Sequence, residues 1–153
     1  QEALALAAAG LACETVPVIS AAQWAAACAG IPLTHRDHAA ILVFATGHLQ
    51  GEEGERTVAL DWAALARPRQ TVVIYMGMGT LPTICTQLIA HGLDGDTPAA
   101  LVERATRPDQ RTIVGTLRTL PALSEQHGVH PPALIMIGGT VSLQAHIGGA
   151  ALR

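Results

Sequence analysis

Few side chains in this 153-residue sequence have the types and spacing that do chemistry. His35 and His38 stand three apart with Asp37 between them, and His48 follows. Imidazole and carboxylate at such spacing can hold a metal, but no cysteine or second acidic cluster joins them. They read as loop histidines on a solvated surface. Cys13, Cys28 and Cys85 are far apart and form no CxxC pair, which excludes a zinc knuckle or a redox motif. Ser20, Ser124 and Ser142 lack a nucleophile-elbow context. Every basic residue is arginine, so no Schiff-base or P-loop lysine lies within this chain. The GMG run at 77–79 opens like a dinucleotide loop, yet Pro82 stands where the third glycine belongs. What remains is a pattern of small residues after apolar runs: YMG at 75–77, ERAT at 103–106 and IGGT at 137–140. Small residues let backbone approach a ligand closely, and open α/β sheets bind ligands beyond the carboxyl ends of their strands. The chemistry expected is therefore the binding of a nucleotide-like small molecule.

Those runs need elements to hold them. An Ala/Leu-rich helical pattern over 1–9 ends at Gly10, and Cys13 to Val18 is short and β-branched, a candidate strand. Ser20 can cap a helix to Ala29 that closes at Gly30. After a polar connection at 31–38, ILVFATG at 41–47 reads as a buried strand and 50–57 as an exposed charged loop. Asp61 can cap a short helix, and TVVIYMG at 71–77 suits a central strand covered on both faces. A helix is expected from about Leu81 to His91, with Pro82 tolerated in its first turn. Segments 99–106 and 112–117, joined by the RPDQ turn, predict a hairpin. A short helix at 121–127 and a last buried strand at 133–139 complete the pattern. Helices alternating with strands give an α/β fold, and the hairpin makes its sheet mixed, flanked by helices.

Composition narrows the classes. Half of the residues are hydrophobic and 14% are charged, which argues for a packed core rather than disorder. A net charge of −3 leaves no footprint for a polyanion, so nucleic acid is not an expected partner. Glu2 interrupts the apolar start, no basic run precedes it, and no stretch reaches the 18 or so apolar residues that span a bilayer. The expected setting is cytoplasmic with reduced cysteines. The chain begins without Met inside a helical pattern and reads as a piece of a longer protein.

Several blocks also carry a resemblance. AGIPLTHRD at 29–37, TGHL at 46–49, YMG at 75–77, DTPAALVERATRPDQRTIVGTL at 96–117 and PALIMIGG at 132–139 follow one another in a fixed order. Together they resemble the uroporphyrinogen-III C-methyltransferases of the tetrapyrrole methylase family, which also form the C-terminal part of siroheme synthases. The resemblance runs from Ala3 to about Leu143. It implies two α/β domains with the active site in the trough between them. Residues 1–34 would be the tail of the first domain and 35–153 the second. It implies a homodimer, S-adenosylmethionine (SAM) as methyl donor, and uroporphyrinogen III methylated to precorrin-2, on the way to siroheme, cobalamin or heme d1.

Residue by residue, the resemblance implies cofactor contacts at Ser20, Ala21, Met76 and Ala105. It implies a carboxylate partner for the substrate at Arg36, with Arg104 a second candidate. The family's glycine-rich first strand-loop, its GGDP-type loop and its candidate acid–base residues have no counterpart here, so this chain alone is expected to be inactive. Val18 replaces the family's glycine in a Pro-Gly-Ile-Thr turn, a costly change if that turn needs positive φ. Cys28 and His38 stand where tyrosine is usual. Two other readings stay open: a methylase of another corrin precursor, and a non-catalytic SAM-binding or dimerisation module.

Overall fold

In a computed structural model, which describes residues 2–48 and 58–147, five strands form one mixed sheet. They are β1 (Ile41–Thr46), β2 (Gln70–Tyr75), β3 (Pro98–Glu103), β4 (Arg111–Thr116) and β5 (Ala133–Ile137). Their order is β1-β2-β5-β3-β4. β1 and β2 are parallel; β5 runs antiparallel to both β2 and β3, and β3–β4 is the expected hairpin. The last strand thus lies at the centre. β1, β2 and β3 point the same way, so their carboxyl ends share one edge with the start of β5.

Period-two alternation sorts each central strand between two cores. Val72, Ile74, Ala99, Leu101, Ile135 and Ile137 face one side. There they meet α3 (Trp62–Leu65), α4 (Leu81–Ala90) and α5 (Leu120–Gln126) through Leu65, Ile84, Leu88 and Leu120. Val73, Ala100, Val102, Leu134 and Met136 face the other side, against α2 (Ala21–Ala29) and Val141. α2 offers Ala22, Ala25, Ala26 and Ala29, all buried. Methyl side chains let its backbone lie close to the sheet. The α/β class and the mixed sheet flanked by helices are thus as the sequence predicts.

Local signals account for the helix ends. Ser20 and Gln23 form a reciprocal capping box, and Gly30 ends α2 in the left-handed region at φ 69°. The Asp61 carboxylate accepts from the Ala64 N–H at 3.0 Å and caps α3. Pro82 sits in the first turn of α4, where its missing N–H costs nothing.

Three expectations fail or shift. The strand at 41–47, expected buried, is an edge strand whose residues 41–46 are all exposed or half-buried, because only β2 pairs with it. The β-branched run at 13–18 forms no strand; residues 11–18 are exposed and pair with no other strand among the described residues. β propensity alone does not make a strand when no free edge receives it. Strand 99–106 stops at Glu103, because Arg104 and Thr106 take positive φ (48° and 70°). α1 (Glu2–Ala8) is helical as expected but buries none of its residues. The charged loop at 50–57 lies outside the described residues.

Candidate functional site

At the shared edge where β2 and β3 end and β5 begins lies a cavity of about 560 Å³. Its walls are Ala21 at the start of α2, Tyr75 and Met76 at the end of β2, Met78 and Gly79 in the next turn, Val102, Arg104 and Ala105 at the end of β3, and Pro131 to Leu134. The lining is mostly apolar, with Arg104 and Arg107 at its border. A neighbouring hollow, lined by Ile19, Trp24 and Thr106, shares Ala21 and Ala105 with it. An apolar slot with few polar groups is the usual form of a small-ligand site.

The backbone here is under strain. Met76 (φ 52°), Arg104 (φ 48°) and Thr106 (φ 70°) occupy the left-handed region without being glycine. Such conformations cost about 1–3 kcal/mol each and persist where the surroundings enforce them, often at binding sites. Met76 is 65% exposed, so it is not a core residue at a strand end; the turn pushes it out over the cavity. Gly77 follows because a Cβ there would come within 2.7 Å of Ile135 Cδ1 and 2.9 Å of Ile84 Cδ1.

Hydrogen bonds hold the two walls. The Tyr75 hydroxyl accepts from the Ala22 N–H at 3.0 Å, which fixes the start of α2 beside the end of β2. Gln110 spans the other side: its Oε1 accepts from the Thr106 N–H at 2.8 Å, and its Nε2 donates to the Cys28 carbonyl at 3.2 Å. One side chain therefore ties the 104–110 loop to the far end of α2.

Below that loop Glu103 is buried. It takes Arg111 Nε at 2.6 Å, the His130 N–H at 3.0 Å and Arg104 Nη2 at 3.4 Å. The Arg111 hydrogen bond is the main reason its pKa falls to about 2, against the penalty of burial; the His130 N–H and the charges of Arg104 and Arg111 add to it. Arg104 also pairs with Asp109 at 3.0 Å. Its Nε is buried and has no hydrogen-bond partner among the described residues. A buried polar atom without a partner is uncommon, and this one lies in a residue that borders the cavity.

Of the residues singled out from sequence, Ala21, Met76 and Ala105 converge on this one cavity. Ser20 lies next to Ala21, but its hydroxyl is engaged with Gln23 as a helix cap rather than lining the cavity. Arg36 is brought nowhere near them. It precedes β1, at the opposite end of the sheet, and its carbonyl accepts from Arg69 Nη2 at 2.7 Å. Val18 takes no positive φ, so the cost foreseen for its side chain does not arise. His35 and His38 meet in a tilted contact at 5.0 Å between ring centroids, also at the opposite end. Among the described residues no three His, Cys, Asp or Glu side chains are grouped to hold a metal. No helix among them is long and apolar enough to cross a membrane.

Tyr75, Gln110 and the Pro131–Pro132 wall were not singled out from sequence. Tyr75 stands inside the YMG block and Gln110 inside the RPDQ turn, so their positions were visible, but the contacts they make are 53 and 82 residues away in sequence.

The family model for Tetrapyrrole (Corrin/Porphyrin) Methylases matches residues 1–121. The chain belongs to this family. It is 53% identical over 130 residues to the siroheme synthase of Nitrosomonas europaea, covering 85% of this chain and 26% of that protein. It is 52% identical over 141 residues to the siroheme synthase of Gluconacetobacter diazotrophicus, covering 92% and 29%. This methylase chain thus spans between a quarter and a third of the length of these curated relatives. The uroporphyrin-III C-methyl transferase of Thermus thermophilus, solved in complex with S-adenyl homocysteine, matches with a TM-score of 0.76 at 32% identity. That match covers 93% of this chain and 57% of the solved one. A cobalt precorrin-4 methyltransferase, 23% identical with a TM-score of 0.74, shares the fold.

Proposed function

We propose that this methylase chain is the C-terminal, adenine-binding half of a SAM-dependent uroporphyrinogen-III C-methyltransferase that makes precorrin-2. The observation that carries the reading is the convergence of Ala21, Met76 and Ala105 on one apolar cavity. The Thermus relative, named for uroporphyrin III and bound to S-adenyl homocysteine, supports it at 32% identity. Residues 1–34 would close a first α/β domain and 35–153 form the second, with α2 lying across the junction. A homodimer of such two-domain units, working in the cytoplasm, is part of the same proposal.

The residues fit the cofactor. An adenine ring needs a flat apolar slot, and Ala21 and Ala105 keep the walls free of bulk. Met76, turned outward by its left-handed backbone, offers a polarisable thioether to a ring face. Ser20 positions this wall by capping α2 rather than by touching the ligand. When bound, SAM supplies an electrophilic methyl group that an electron-rich ring carbon of the substrate takes up. This chain contributes orientation and exclusion of water, and holding the reacting carbons in line is where the rate gain arises. Arg104 borders the cavity and Arg36 does not, so Arg104 is the better partner here for a substrate carboxylate. Arg36 could meet the substrate only outside this cavity.

Titration of S-adenosylhomocysteine into the full-length protein tests the assignment. Saturable binding is expected, weakened at least tenfold in Met76→Asp, with methyl transfer to uroporphyrinogen III in the wild type. A folded protein that binds no S-adenosylhomocysteine would remove this reading and leave the dimerisation module. Binding with transfer only to a later corrin precursor would favour the alternative methylase.

A further inference from the structure

A second cleft, of about 430 Å³, lies at the opposite end of the sheet, where β2 begins and β5 ends. Its floor is apolar: Leu65, Val72 and Ile137 are buried there and Leu93 is partly so. Its rim carries His38, Arg67 and Arg69. Gln70 lines it too, but its amide already donates to the Ala64 and Leu65 carbonyls.

Among the described residues, the arginines of this end are paired differently from the others. Arg104, Arg107, Arg111 and Arg118 each pair with a carboxylate, at 3.0, 3.4, 2.6 and 3.4 Å respectively. Arg36, Arg67 and Arg69 have no carboxylate within ion-pairing distance among the described residues. All three lie at this one end of the sheet. Arg69 donates Nη2 to the Arg36 carbonyl at 2.7 Å, which holds the two segments together. Arg69 does so from a left-handed backbone at φ 59°. His38 rests on Gly139, where a Cβ would lie 3.2 Å from its Nδ1. Two carboxylates lie near: Asp37, 3.8 Å from His35, and Asp94 on the far wall, whose Oδ1 accepts from the Asp96 N–H.

We propose that this cleft is a binding site for a small organic anion, separate from the methylation cavity. The ligand's apolar body would lie on Leu65, Val72 and Ile137. Its carboxylate or phosphate would sit between Arg67, Arg69 and His38, since guanidinium groups that no carboxylate neutralises favour planar or tetrahedral oxyanions. The site does not depend on the proposed methyl transfer.

The probe is 1-anilinonaphthalene-8-sulfonate, which joins an aromatic body to one anionic group, titrated into the full-length protein by fluorescence. One saturable site is expected, unaffected by saturating S-adenosylhomocysteine and weakened about fivefold by 0.5 M salt. Arg67→Ala combined with Arg69→Gly should weaken it at least tenfold. Glycine accepts the left-handed backbone at position 69, so the variant keeps its fold, which circular dichroism checks. Arg67→Ala alone should give a smaller loss. Phenylphosphate and benzoate should displace the probe, and benzyl alcohol should not. Displacement by only one of the two anions would identify phosphate or carboxylate as the ligand's head group. Absence of a saturable site, binding unchanged in the double variant, displacement by benzyl alcohol, or loss with S-adenosylhomocysteine would overturn the proposal.

Discussion

Met76 is the residue where local cost and proposed function meet most directly. Its left-handed backbone and 65% exposure describe a side chain held out of the core. Replacing it with glycine relieves the strain but frees the unfolded chain, two effects of similar size. Met76→Gly should therefore change unfolding free energy by less than about 1 kcal/mol in urea titration while weakening S-adenosylhomocysteine binding several-fold. Gln110 makes a second residue-scale test. Gln110→Leu removes both hydrogen bonds that tie the 104–110 loop to α2, each worth about 1 kcal/mol. Cofactor affinity should fall, and Gln110→Glu, which keeps only the acceptor to Thr106, should fall between the two. Cysteine chemistry is also set residue by residue. Burial pushes the Cys85 thiol up to about 11, whereas Cys13 is exposed. A thiol reagent at pH 8 should modify Cys13 readily and reach Cys85 only on unfolding.

Between elements, the ends of β1 and β2 approach each other closely. A Cβ on Gly47 would lie 2.7 Å from the Gly77 Cα, which is backbone, while one on Gly77 would meet the ends of the Ile135 and Ile84 side chains. Backbone yields less than a side-chain tip. Gly47→Ala should cost about 2–3 kcal/mol and Gly77→Ala less, as read from urea midpoints at unchanged slope. Thr80 adds to this junction by donating its hydroxyl to the Gly47 carbonyl at 2.9 Å. The two glycines thus set how near β1 comes to the turn that presents Met76.

At the scale of the whole molecule, Glu103 ties several elements together through one buried carboxylate. Its carboxylate joins the end of β3 to Arg111 on β4, and Arg111 in turn donates to the His127 and Gly128 carbonyls after α5. Because the folded pKa of about 2 lies below the ordinary 4.5, folding favours the ionised form. This stability is fully present above pH 4.5 and is lost as pH falls from there towards about 2. Acid titration of unfolding should show that loss, and Glu103→Gln should flatten it while lowering stability at neutral pH.

Much was legible locally. Ser20, Gly30, Asp61 and Pro82 marked helix ends correctly, because capping is satisfied within a few residues. Apolar runs located β2, β3 and β5, because burial on both faces demands continuous hydrophobicity; the run at 41–47 located β1 and the 107–110 turn the hairpin, although β1 and β4 are edge strands. The family blocks placed Ala21, Met76 and Ala105, which do meet. The sequence by itself therefore determined which segments are helix or strand and which small residues end them. Only the tertiary structure decided that β5 inserts between β2 and β3, that 13–18 finds no edge, and that Arg36 lies at the other end of the sheet from Met76. Strand order and the facing of loops follow from packing among segments distant in sequence, and no local propensity encodes which partner a strand edge receives.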